Sequence, residues 1–238
     1  MAGARSAAPA SRGDVLPRTE VLARLAEVPV FGLKSGTEFL TAQDSCSCFY
    51  LDAREAERMC LKMGSNVRVE GLALSEIYFD PKTRLKAADS ALSQLQSVPA
   101  GARLEPNIKV PLFCIDGLQT TDKSTGISYL PLFNSKAELL EFAVPVYGEE
   151  AAKRMVLATD LSVVVNNMIN GPAGLLRNAR FFADAKSLKW MDDEIARKKS
   201  SMFPDAPGSS DMIPPNLRGG NAGAPGGVFG GIQSLFPR

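Results

Sequence analysis

Cys46, Cys48, Cys60 and Cys114 are the side chains of this 238-residue sequence best suited to chemistry. Four thiolates are enough to hold a structural metal, but a C-x-C pair followed by long gaps does not match the C-x2-C pairs of structural zinc sites. Spacing alone cannot show a disulfide. The plainer reading is buried free thiols acting as small apolar side chains. The chain has no histidine, which removes the usual general base of Ser-His and Cys-His sites and the commonest metal ligand. It also has no G-x-G-x-x-G, P-loop, G-x-S-x-G or H-E-x-x-H element. Asp and Glu fall at helix caps and on solvated faces, without a paired-carboxylate signature. The sequence therefore predicts a protein that is not an enzyme: catalytic residues none, cofactor-binding residues none, metal ligands none, cofactors none.

The composition is that of an ordinary globular chain, 45% hydrophobic and 22% charged. A net charge of +1 lacks the basic excess of a nucleic-acid binder, so no nucleic-acid partner is expected. No window reaches the roughly 18 uninterrupted apolar residues of a membrane span. The nearest, Leu161 to Ile169, is broken by Asn166 and Asn167.

The elements are organised around a phrase used twice. Val28-Pro29-Val30-Phe31 returns 82 positions later as Val110-Pro111-Leu112-Phe113, and Leu51-Asp52-Ala53-Arg54 is answered by Phe133-Asn134-Ser135-Lys136. In each copy a strand pattern leads to a polar cap and then a helix. Asp52 with Glu55, and Ser135 with Glu138, have capping-box spacing. Strands are expected over Val28–Leu33, Glu38–Thr41, Cys46–Leu51 and Val67–Leu74, and in the second copy over Val110–Ile115, Ile127–Phe133 and Arg154–Ala158. Pro29 belongs at a strand start or an edge, and Pro131 implies an edge strand. Helices are expected from Asp52 to Gly64, from a cap at Ser75, and over Thr83–Gln96, where Leu85, Ala88, Leu92 and Leu95 form a stripe. In the second copy they are expected from Ser135, with Leu139, Phe142 and Ala143 buried, and over Val163–Met168, stopped by Gly171-Pro172. Thr159-Asp160-Leu161 mirrors Ser75-Glu76-Ile77 with the offset slipped to 84. Asp116–Gly126 reads as a mobile surface loop.

The resulting organisation is residues 1–18 as a disordered end or leader remnant, 19–199 as a duplicated α/β domain, and 200–238 as a Gly/Pro-rich tail. Within the domain, copy one is 21–98, copy two is 108–180, and an extra helix covers 184–199. The fold class is α/β (α+β), with strand-strand-helix-strand-helix halves related by pseudo-twofold symmetry. Their strands are expected to form one central sheet with covering helices. Such an arrangement leaves grooves, and one lined by Phe, Leu and Met would hold an extended apolar peptide. Against this, Phe31, Phe49, Phe113 and Phe133 read individually as core.

Val28-Pro29-Val30-Phe31, the Val69–Tyr78 stretch with Leu74-Ser75-Glu76-Ile77, Lys109-Val110-Pro111-Leu112-Phe113 and Leu130–Leu139 together resemble the Tic twenty-two family. This is the soluble component of the chloroplast inner-envelope import translocon. The resemblance covers roughly Val21 to Asn170. It implies a non-enzymatic, chaperone-like protein-import factor of the plastid envelope intermembrane space, peripheral to the membrane, with preproteins or translocon subunits as partners. The last helix and the Gly/Pro tail depart from the family. They motivate the alternative, a structural or assembly subunit of a plastid membrane complex anchored through its tail.

Overall fold

Val30 and Phe31 are both fully buried, yet they face different hydrophobic clusters. Adjacent strand residues point to opposite faces, so the sheet that holds them is covered on both sides. The structure, a computed structural model, describes residues 15–171 and 174–202. Most of the 1–18 leader reading, the tail reading beyond residue 202 and the stop at Pro172 lie outside the described residues. One unit ends at Arg197, and a second begins at Lys198, of which the described part is helical.

The chain runs α1 (Arg18–Leu25), β1 (Pro29–Ser35), β2 (Glu38–Phe39), β3 (Ser47–Tyr50), α2 (Ala53–Met63), β4 (Val67–Ala73), α3 (Leu74–Ile77), β5 (Thr83–Lys86) and α4 (Asp89–Gln96). It continues through β6 (Pro111–Ile115), β7 (Thr120–Thr121), β8 (Ser128–Phe133), α5 (Lys136–Tyr147), α6 (Glu149–Met155), β9 (Val156–Asp160), α7 (Leu161–Asn170), β10 (Ala179–Phe182) and α8 (Ala185–Met202). The architecture is α+β, as the sequence predicts, but it has two five-stranded sheets and no single central one. In the first sheet β1 pairs antiparallel with β4 on one side and with β2 and β3 on the other, and β5 runs parallel to β3. In the second, β6 pairs antiparallel with β9 and β8, and β10 runs parallel to β8. The order and pairing sense of four strands are thus the same in both, β4-β1-β3-β5 and β9-β6-β8-β10, while the short strands differ, β2 pairing with β1 and β7 with β8. The sheets meet through side chains rather than hydrogen bonds. Val28, Val30, Phe49 and Leu51 share one cluster with Val110, Leu112, Cys114 and Leu132.

The outer faces are covered by exchange. The polypeptide leaves the first sheet through β5 and then places α4 on the second, where Ala91, Leu95 and Val98 pack with Phe113, Phe133 and Leu139. It leaves the second sheet through β10 and places α8 on the first, where Trp190 meets Phe31 edge-on at 5.1 Å. Polar contacts repeat the exchange. The Ala53 N–H at the start of α2 donates to Ser187 Oγ of α8 (3.4 Å), and the Lys136 N–H at the start of α5 donates to Gln94 Oε1 of α4 (2.7 Å). In return Glu55 of α2 accepts from the Asp89 N–H of α4, and Glu138 of α5 accepts from the Ala185 N–H of α8. Free N–H groups of a helix first turn are thus satisfied from another helix.

This corrects the capping boxes. Asp52 does cap α2, accepting from the Arg54 N–H at 2.9 Å. Ser135 makes no such bond, and Glu55 and Glu138 reach outward to other helices. Residues Thr83–Lys86, expected as helix, form β5, because a parallel partner on β3 captures them and leaves only Asp89–Gln96 helical. Its counterpart β10 and the helix α6 match none of the expected elements. The third helix begins at Leu74 and not at Ser75, with Glu76 accepting from the Ala73 N–H. Leu74 N–H donates to Val28 C=O, and Leu161 N–H donates to Val110 C=O, so Leu161 corresponds to Leu74, 87 positions away. The offset of 84 is therefore wrong, since the second connection carries the added helix α6. Asp116–Gly126 holds β7, which pairs with β8. Pro131 lies in an inner strand, at a point where β8 has left β6, since that ladder registers only Phe113 with Phe133.

Trp190 also donates its indole N–H to Glu57 Oε1 at 2.7 Å. Truncation to Ala should remove the ring contact and open the outer face of the first sheet. Trp190→Ala is expected to cost about 3 kcal/mol, read as a lower urea midpoint at unchanged slope by circular dichroism.

Candidate functional site

Phe31, Phe49, Phe113 and Phe133 are each at most 2% exposed. They are core, so the expected Phe- and Met-lined groove does not exist around them. Between the sheets there is a cavity of only about 10 Å³, bordered by Val28, Leu74, Val110, Leu161 and Asn134. It is the size of one water. The Oδ1 of Asn134 is buried there without a hydrogen-bond partner.

A larger depression lies on α5 and α6. Ala137, Leu140, Val144 and Pro145 form its floor, and Glu141, Glu149 and Lys153 its rim, around about 370 Å³. Two local features make it. Gly148 takes a positive φ of 78°, which only glycine adopts at no steric cost, and this turns α5 into α6. Pro145 has no N–H to return to the Glu141 carbonyl, so a backbone acceptor opens beside the floor. Glu149 accepts from Lys153 Nζ at 2.7 Å, and Glu150 lies 3.5 Å from the same ammonium. The rim itself carries Glu141, Glu149 and Lys153, with Lys136 close enough to Lys153 for the two ammonium groups to repel. The groove occupies the longer second connection, where α6 has no counterpart in the first.

The sequence reading of α5 named the side that faces inward. Leu139 and Ala143 are fully buried, and Phe142 packs against the same cluster. Leu140 and Val144 are half-buried: they pack partly against the same cluster and also line the groove. With the exposed Val146 they make the helix apolar nearly all round, a pattern that a one-sided stripe does not describe. Val146 is 65% exposed.

The remaining candidates for chemistry are dispersed. The four cysteines are unpaired, with Cys114 buried and its thiol pushed up to about 11, chiefly by burial. Among the described residues no group of three or more His, Cys, Asp or Glu side chains is placed to hold a metal ion. The main ionic clusters tie elements together. Arg180 pairs with Asp122 at 2.7 Å and lies over the Tyr129 ring, while Lys86 and Arg58 flank the buried Glu55. Among the described residues no helix is long and apolar enough to cross a membrane.

These features define a class: a two-sheet α+β protein with exchanged covering helices and an open apolar groove. No family model and no characterised sequence matches the chain. Solved structures do match, and the fold is that of Tic22. Tic22 from Plasmodium falciparum superimposes with a TM-score of 0.58 at 14% identity, covering 74% of this chain and 98% of that one. Anabaena Tic22, described as a protein of protein transport, gives 0.57 at 16% identity, covering 75% and 98%.

One carboxyl near the groove is tuned. Glu138 lies one turn before Glu141, and its pKa is raised to about 7. Burial is the main cause, opposed by the Ala185 N–H and reinforced by Asp184 and Glu141. A carboxyl more basic folded than unfolded contributes stability that is whole below about 4.5 and lost as pH rises through about 7. Glu138→Gln should therefore flatten the fall of the thermal midpoint across that window. Equal pH slopes for both proteins would contradict the assignment.

Proposed function

We propose that the protein is a non-enzymatic factor of plastid protein import that holds preproteins in transit across the envelope. The fold it shares with Tic22 over almost the whole of the Tic22 chains supports a role in protein transport. The observation that carries the binding step is the groove of α5 and α6. Its floor accepts apolar side chains, and its rim of Glu141, Glu149 and Lys153 leaves one carboxylate in excess to pair with a basic residue of the client. Binding there needs no covalent step, because burial of client side chains and charge pairing at the rim supply the affinity. A place in the intermembrane space, peripheral to the membrane, with translocon subunits as further partners, fits the same reading. The matching order of four strands in the two sheets supports reading 21–98 and the stretch that begins at 108 as copies of one unit, the second running past residue 180 through β10 to α8.

The test places a charge on the floor. Val144→Glu should weaken binding of a preprotein by about tenfold, since a carboxylate there forfeits roughly 1–2 kcal/mol of apolar contact. Leu61→Glu, on the exposed side of α2 where Leu61 is 84% exposed, should leave affinity unchanged. Fluorescence anisotropy of a labelled preprotein measures both. Unchanged affinity in Val144→Glu would overturn the groove as the binding site.

A further inference from the structure

The two sheets treat their outermost antiparallel strands differently. Leu74 N–H donates to Val28 C=O at 2.8 Å, which fixes the phase of the β1–β4 ladder. Leu72 and Glu70 turn their N–H and C=O groups toward β1. Val67, Val69, Gly71 and Ala73 turn theirs outward, because both groups of an antiparallel residue point the same way. Leu161 N–H donates to Val110 C=O at 2.9 Å, so on β9 the outward groups include those of Ala158 and Asp160.

On β9 the segment after α4 covers that edge. Arg103 lies parallel against Ala158, Leu104 N–H donates to Ala158 C=O at 2.8 Å, and Glu105 accepts from the Asp160 N–H at 3.0 Å. On β4 the described residues close only the ends. Glu76 accepts from the Ala73 N–H, and at the other end Val67 N–H donates to Gly64 C=O while Val67 C=O accepts from Cys60 Sγ. Gly71 stands opposite Phe31 as Ala158 stands opposite Phe113. Yet among the described residues the outward N–H and C=O of Gly71 and Val69 meet no partner. All but one residue of β4 is partly exposed and the other fully so, whereas β9 is buried at all but one position. A strand edge of this kind templates an added strand.

We propose that the outer edge of β4 receives an extended segment of the client polypeptide, which adds as a parallel strand through main-chain bonds to Val69 and Gly71. The chain supplies its own precedent for geometry and direction in Arg103 on β9. Main-chain bonding is indifferent to side-chain sequence, which suits a binder of many unfolded chains. The apolar groove reads side chains, and the strand edge reads backbone. This inference rests on the client-binding reading above and names a second contact for the same client.

The test uses the full-length protein and, as probe, reduced and carboxymethylated lactalbumin, a permanently unfolded chain, with native lactalbumin as control. Residue-resolved amide exchange should find Val69 and Gly71 fast in the free protein while Glu70 and Leu72 are protected. The probe should slow Val69 and Gly71 by about tenfold or more, as two added hydrogen bonds would. Val69→Pro removes the outward N–H and, as Val69→Ala also does, side-chain packing against the Phe31 cluster, while it leaves the β1–β4 ladder intact, so it should weaken probe binding about tenfold. Val69→Ala, which keeps the N–H, should not. Probe binding with unchanged exchange at Val69 and Gly71 overturns the strand-edge inference and leaves client binding standing. No binding of the probe overturns both. Protection without probe that grows with protein concentration makes the occupant a second copy of the chain and overturns the inference.

Discussion

Each sheet is covered on its outer face by a helix that follows the last strand of the other. Ser187 and Trp190 of α8 contact Ala53, Glu57 and Phe31, while Gln94 and Leu95 of α4 contact Lys136 and the cluster around Phe133. Glu55 and Glu138 return the exchange by closing the N-termini of α4 and α8. A sheet with one face bare would leave side chains such as Phe31 or Phe113 in water, at roughly 1.5–3 kcal/mol each. Neither sheet is therefore a complete core without the other, and the shared cluster between Val30 and Leu112 closes the arrangement from inside.

The sites proposed for function lie where the two sheets stop matching. Beyond β8 the chain inserts α6, set off from α5 by the turn at Gly148, and the groove opens there over Leu140 and Val144. Beside β4 the described residues hold no counterpart of what Arg103–Glu105 provides to β9, and Val69 and Gly71 turn their peptide groups outward. Both places border the exchanged packing: Gly71 lies under Trp190 and Met191 of α8, which leaves no room there for a side chain, and Val144 packs partly against the cluster that α4 covers.

Much of this was legible in the residues. The repeated Val-Pro-x-Phe phrase marks β1 and β6, Asp52 and Gly64 bound α2, and Leu139 and Ala143 identify the inner side of α5. The errors share a cause, namely partners distant in sequence. Thr83-Arg84-Leu85-Lys86 has no strand signal that outweighs the helical stripe of Leu85, Leu92 and Leu95, and only pairing with Ser47–Tyr50 makes it a strand. With Thr83–Lys86 patterned as helix, no counterpart in the first copy marks Ala179–Phe182 as a strand. Glu55 and Glu138 sit at capping-box spacing, but the N–H groups they satisfy lie 34 and 47 residues ahead. The groove did leave a trace in the all-round apolar character of α5, whereas the open edge of β4 depends on ladder phase, which no local pattern encodes.

If exchanged helices make the two sheets one cooperative unit, their most protected amides must open together. Native-state hydrogen exchange, followed as a function of urea, measures this at Phe31 in β1 and Phe113 in β6. The account predicts a single opening free energy with one urea dependence for both amides, equal to that of global unfolding. Two separate free energies, with one sheet opening while the other stays closed, would contradict it.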